Sequence, residues 1–69
     1  KNVRCNAMCP GGVENGQPES FLNKVNSKIP MNRLAQPDEY QGTLLWMLSD
    51  ASSYLNGAVV NVDGGRTTW

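Results

Sequence analysis

Histidine is absent from this chain. That removes the usual general base near neutral pH and the commonest nitrogen ligand for metals. Ser49, Ser52 and Ser53 therefore have no imidazole to activate them as nucleophiles. Cysteine is scarce, with only Cys5 and Cys9 present. In a strand, four residues at ~3.3 Å each put them about 13 Å apart, beyond the roughly 7 Å reach of a disulfide. The spacing is not Cys-x-x-Cys, so it indicates neither a redox pair nor a zinc knuckle. Reduced thiols suit a cytoplasmic protein. An excess of one charge is missing too: six basic and six acidic residues cancel, and they are scattered. There is no basic stripe for nucleic acid and no polybasic patch for a membrane. The longest apolar run, Leu44 to Leu48, is far too short to cross a bilayer. Lys1-Asn2-Val3-Arg4 has no signal-peptide apolar core. The chain enters strand-like sequence at once without an initial methionine, as expected of a cut or encoded fragment. With 69 residues it makes at most one small domain, burying about 60% of its unfolded surface.

What is present is organised around Pro37 to Asp50. Pro37 suits a first helical position, and Asp38 and Glu39 follow where negative charge meets the positive end of the helix dipole. Tyr40, Leu44, Met47 and Leu48 fall at i, i+4, i+7 and i+8, one face of a helix. Leu45 and Trp46 widen that stripe and predict a helix covered on more than one side. Ser49 to Ser53 end the pattern with residues that compete for backbone hydrogen bonds. Asp38 and Glu39 could be an acid/base couple. Helix-end electrostatics is the better account, since adjacent helical residues point in different directions.

Two strands flank this helix. Val3 to Cys9 reads as the first, with Val3, Cys5, Ala7 and Cys9 inward and Arg4, Asn6 and Met8 outward. Pro10-Gly11-Gly12 stops it, because proline lacks an N–H and glycines allow positive φ. Alone, that triplet reads as a plain turn before it reads as a phosphate cradle. Pro18 to Val25 can form a short helix with Phe21, Leu22 and Val25 on one face. It is a mobile lid or an ordinary surface connector. Ile29-Pro30-Met31 should be extended. Asn56-Gly57 marks a turn, and Ala58 to Val62 is a β-branched second strand. The long helical connection favours two parallel strands with a right-handed crossover. That is an α/β unit, incomplete on its own, since parallel sheets are covered on both faces and hold more strands.

Four stretches, in order, carry a resemblance. Arg4 to Gly11 resembles the sixth strand and Pro-Gly turn of the short-chain dehydrogenase/reductase family. Ile29 to Glu39 resembles its "P-x-x-R-x-x-x-P-E-E" approach to the last long helix. Leu48 to Gly57 resembles "L-x-S-D-x-S-x-Y-x-T-G", and Val60 to Gly65 the last strand with its "V-D-G-G" end. The resemblance implies the C-terminal strand-helix-helix-strand unit of a Rossmann-type parallel sheet, residues 1–69 forming a single partial domain. It implies a parent that oxidises alcohols or reduces carbonyls with NAD or NADP. Pro10, Gly11, Gly12, Val13 and Asn15 match positions facing the nicotinamide end of that cofactor. Asn15 stands where a threonine is usual, and Asn56 likewise replaces one before Gly57. Gln17 through Lys28, with Gln17, Phe21 and Leu22 foremost, matches the substrate lid.

The resemblance also implies what this chain lacks. The family's Gly-rich phosphate loop and its Tyr-x-x-x-Lys pair lie upstream of the matched region. Tyr54 is followed four residues on by Ala58 and Tyr40 by Leu44, so both read as packing residues. No proton donor remains, and the chain alone should be inactive and bind the cofactor weakly. Pro-Gly-Gly-Val followed by Gln-Pro, with an aromatic C-terminal end, is similar to members associated with bacterial surface-sugar modification, so the substrate could be a sugar. A homo-oligomer through the Pro37–Asp50 helix and last strand is implied as well. The competing readings are an assembly module anchored by Trp46, Tyr54 and Trp69, a degenerate fragment, or a small anion-binding domain built on the Gly-rich turns.

Overall fold

The computed structural model describes residues 3–68; Trp69, named above as an interface anchor, lies outside them. Strands β1 (Ala7–Pro10) and β2 (Val59–Val62) pair in parallel, Ala7 opposite Val59 and Pro10 opposite Val62. Helices α1 (Glu19–Asn26) and α2 (Gln41–Leu48) lie between them in the chain. This is the expected order and the expected parallel pairing, although both helices have eight residues.

β1 is shorter than Val3 to Cys9 because two asparagine side chains take over where the ladder would continue. Asn56 Oδ1 accepts the Cys5 N–H at 2.9 Å, and Asn6 Oδ1 accepts the Ala58 N–H at 2.9 Å. At the other end β1 runs through Pro10. Ala7 and Gly11 both donate toward β2, to Ala58 and Val62. Alternation therefore aims the Pro10 nitrogen at the open edge, where a missing N–H costs nothing.

The inward and outward faces of β1 are the reverse of those expected. Val3, Cys5, Ala7 and Cys9 are exposed, and Arg4, Asn6 and Met8 are half-buried on the side of α2. The cause is the C-terminus of α2, whose last carbonyls need donors and carry partial negative charge. Arg4 Nη2 donates to Met47 O at 3.0 Å and to Ser49 O at 3.3 Å, and Nη1 to Leu55 O at 3.1 Å. Asn6 Nδ2 adds a bond to Leu55 O at 3.1 Å. Arg4 is inside because the helix end recruits it, and Asn6 because Leu55 O does.

The single helix expected from Pro37 to Asp50 is three pieces. Pro37–Tyr40 is a 3₁₀ turn, α2 follows, and Asp50–Ser52 is another 3₁₀ turn. Ser49 breaks the run with extended torsions, φ −100° and ψ 168°. Its Oγ donates to Trp46 O at 2.9 Å and accepts from Ala51 N–H at 3.2 Å, a local alternative to helical bonding. The covered face of α2 is also narrower than expected. Tyr40 and Thr43 are half-buried and Met47 is buried, whereas Leu44, Leu45, Trp46 and Leu48 are exposed. Tyr54, read as a packing residue, is fully exposed.

Among the described residues, those buried are Ile29, Leu34, Met47 and Ser52. Two of them sit under turns. A Cβ on Gly12 would lie 2.7 Å from Leu34 Cδ2, and one on Gly64 would lie 2.9 Å from Ile29 Cγ2. Gly64 also has φ 66°, a torsion that favours glycine. Ile29 to Met31 forms a turn and not an extended segment: Asn32 N–H donates to Ile29 O at 2.8 Å, with Asn32 at φ 60°. This small core therefore braces the carboxyl ends of both strands, the end where open α/β sheets bind ligands.

Candidate functional site

Beyond β1 the chain reaches the turn Pro10-Gly11-Gly12-Val13. The Gly11 N–H still donates to Val62 O, at 3.0 Å. Neither Gly11 nor Gly12 has positive φ, contrary to the freedom expected of them. What Gly11 supplies is close approach: a Cβ there would sit 2.8 Å from both Cα and Cβ of Asp63. The chain then changes partner. Gly12 O accepts from Ala35 N–H at 3.0 Å, and Ala35 O from Glu14 N–H at 2.8 Å, making a parallel bridge between Val13 and Ala35. Alternation aims the Val13 N–H away from Ala35. Among the described residues it has no hydrogen-bond partner.

The loop after this turn is tied by one side chain. Gln17 Nε2 donates to Val13 O at 3.0 Å, and Gln17 Oε1 accepts from Asn15 N–H at 2.6 Å. Gln17, expected in the substrate lid, braces the loop where it leaves the turn. Asn15 is exposed, and its side chain makes no hydrogen bond among the described residues. Phe21 is exposed and Leu22 half-buried on α1, which buries no residue. Pro10, Gly11, Gly12 and Val13 are therefore gathered with Gln17 in one turn, while Phe21 and Leu22 stand on a separate, uncovered helix.

A polar brace escaped the sequence reading. The Arg33 guanidinium forks onto Glu39, Nη1 to Oε1 at 2.6 Å and Nη2 to Oε2 at 2.9 Å. The Gln36 N–H donates to the same carboxylate at 2.8 Å. Gln36 Nε2 reaches across to Glu14 Oε2 at 2.5 Å, and the Tyr40 hydroxyl to Gly11 O at 3.4 Å. The Arg33 hydrogen bonds, followed by the one from Gln36 N–H, lower the Glu39 pKa to about 2. Glu39 is a fixed anion at a helix start, not half of an acid/base couple. On the other strand, the Thr67 hydroxyl at 2.8 Å and then the Gly65 N–H at 3.0 Å lower the pKa of Asp63. A cavity of about 120 Å³ lies between these pieces, lined by Gly12, Ile29, Tyr40, Val62, Asp63 and Gly64 among others. Among the described residues no cluster of His, Cys, Asp and Glu could hold a metal. Nor, among the described residues, is any helix long and apolar enough to cross a membrane.

A family model described as enoyl-(acyl carrier protein) reductase matches residues 1–67. The chain belongs to this family, among the short-chain dehydrogenases/reductases. It is 42% identical over 77 residues to the NADH-dependent L-xylulose reductase of Ambrosiozyma monospora, covering 99% of this chain and 28% of that one. A short-chain dehydrogenase of Leptospira borgpetersenii with bound NAD+ superposes with TM-score 0.87 at 31% identity, over 93% of this chain and 25% of that one. A gluconate 5-dehydrogenase of Burkholderia cenocepacia, in complex with NADP and tartrate, gives 0.86 at 29% identity, over 96% and 28%. The chain thus spans about a quarter of the length of these relatives. Within that share lie a parallel strand pair, its crossover helices and the turns at its carboxyl end.

Proposed function

We propose that this chain is the C-terminal segment of an NAD(P)-dependent short-chain dehydrogenase/reductase acting on an alcohol or carbonyl, residues 1–69 forming a single partial domain of it. One observation carries the reading. At the carboxyl end of β1 a backbone turn is fastened on one side to Ala35 and presents the Val13 N–H on the other. An amide held in that way is suited to a carboxamide oxygen, and it is suited to NAD and NADP alike. The nicotinamide supplies or accepts the hydride when bound. This chain's residues orient its carboxamide, with Pro10, Gly11 and Gly12 as the wall behind it and Asn15 at its margin. α1, with Phe21 exposed and Leu22 half-buried, serves as the substrate lid, and Gln17 anchors the lid's root. The proton donor belongs to the longer protein, since no tyrosine here has the required lysine. The likeness to an L-xylulose reductase and a gluconate dehydrogenase supports a polyol or sugar-derived substrate. Free, exposed Cys5 and Cys9 fit a cytoplasmic setting.

A second role has its own observation. Leu45, Leu48 and Val59 are 68%, 75% and 64% exposed, which supports a subunit interface through α2 and β2. Were the catalytic half missing from the longer protein, that surface would make this an assembly module.

The test uses the full-length protein carrying these residues. Val13→Pro removes the N–H and should raise the cofactor dissociation constant roughly two- to tenfold, the weight of one hydrogen bond at ~0.5–1.5 kcal/mol. An unchanged constant in a folded variant overturns the reading of the turn. The isolated chain should show no turnover with either cofactor, and steady turnover above a blank would locate a proton donor within it.

A further inference from the structure

We propose that Glu39 and Gln36 are positioning residues for the cofactor-facing turn, acting through the segment that leads into α2. The inference rests on reading Gly11 to Val13 as that turn. Apart from the Gln17 brace on Val13 O, the contacts that hold the turn's outer side come from Leu34 to Tyr40. The Leu34 side chain packs against Gly12, closely enough that a Cβ on Gly12 would lie 2.7 Å from it. Ala35 bonds both Gly12 O and Glu14 N–H. Gln36 holds the Glu14 carboxylate, and the Tyr40 hydroxyl reaches Gly11 O. Gly11 ties the start of the turn to β2 through Val62 O. Beyond that bond, the placement of the Gly12 and Val13 peptides is set by where residues 34–36 lie.

Residues 34–36 are in turn shaped by Glu39. Its carboxylate closes a loop back to Arg33 through two bonds and to Gln36 through the backbone N–H. Arg33 Nη1 also lies 3.3 Å from Leu34 O. The bridging residue Ala35 is enclosed by that loop. An exposed ion pair contributes little to stability as a rule. Here its leverage is geometric: loosening it lets Ala35 drift, and the Gly12 and Val13 peptides drift with it. Misplacement of a binding peptide by a fraction of an ångström weakens affinity without touching the chemistry.

The experiment is a set of variants in the full-length enzyme, read as cofactor dissociation constant, cofactor KM and kcat at saturating cofactor. Glu39→Gln and Gln36→Leu should each raise the cofactor constants about three- to tenfold and leave kcat within about twofold. Arg33→Lys keeps the charge without the fork and should fall between wild type and Glu39→Gln. Combining Glu39→Gln with Gln36→Leu should raise the constants by less than the product of the two, because both act through one segment. Asp50→Asn, an exposed acid whose side chain touches none of this, should change nothing. If Val13→Pro weakens cofactor binding while folded Glu39→Gln and Gln36→Leu do not, the positioning role is wrong and the turn reading stands. If Val13→Pro has no effect either, both fall. Should Glu39→Gln not fold, Gln36→Leu alone decides, since it cuts the link to Glu14 and leaves the Arg33–Glu39 fork in place.

Discussion

At Gly11 the decisive neighbour is Asp63, whose Cα and Cβ would each lie 2.8 Å from any added Cβ. Both atoms belong to a residue anchored by its own carboxylate, so neither can step aside cheaply. Gly11→Ala should therefore destabilise the full-length protein by ~1–3 kcal/mol, the usual cost of overpacking a tight site. Denaturant melts of the two proteins measure it. An unchanged midpoint with weakened cofactor binding would instead give the space to the ligand. The residue type at this position was legible in the sequence, but its reason was not. A Pro-Gly-Gly triplet suggests freedom of φ, while the structure uses absence of bulk. Asn6 and Asn56 show the same limit. Each could be a turn former, a cap or a surface residue, and only the partner fifty residues away decides that they replace ladder bonds. Period-2 alternation puts Arg4 outward. Three carbonyls near the end of α2 draw it in, and long-range satisfaction of that kind leaves no mark in local periodicity.

Among the elements, the existence and order of two strands and two helices followed from pattern, because β-branched runs and amphipathic spacing are local properties. Boundaries did not, because they depend on side-chain bonds such as those of Ser49. The entry to α2 makes a pH prediction. Glu39 falls to about 2 in the fold from an ordinary 4.5, and Asp63 is lowered from 3.8. Folded pKa values below unfolded ones mean stability that is complete above about pH 4.5–5 and is lost as pH falls toward about 2. Glu39 is solvent-exposed and Asp63 half-buried, so screening keeps the Glu39 effect small. Melting temperatures of the full-length protein and Glu39→Gln should differ most above about pH 5, and the gap should narrow by about pH 3. A gap that is flat across this range would show that the Arg33–Glu39 pair adds nothing to folding.

As a whole molecule, the chain is too open for its size. Its radius of gyration is 14.5 Å, against about 11 Å for a compact chain of this length. Its accessible surface is 5288 Å², where a compact 7.5 kDa protein would show about 4,250 Å². The excess of roughly 1,000 Å² exceeds the ~800 Å² that each partner buries in a standard interface. Its composition points the same way. α2 is apolar around most of its circumference, the mark of a helix covered on all sides, yet Leu44, Leu45, Trp46 and Leu48 are 42–75% exposed. One sheet face, with Cys5, Ala7, Cys9 and Val59, is bare. If somewhat over half of that excess is apolar, covering it is worth about 15 kcal/mol at ~25 cal/mol per Å². Domain stabilities are only about 5–15 kcal/mol, so a monomer that leaves this surface in water has little left to hold it folded. The isolated chain at micromolar concentration should therefore dimerise through α2 and β2, aggregate, or lack cooperative structure. Sedimentation and circular dichroism on one sample test this. A soluble monomer with a cooperative thermal transition would mean that Ile29, Leu34 and Met47, beneath two turns and one helix, suffice as a core.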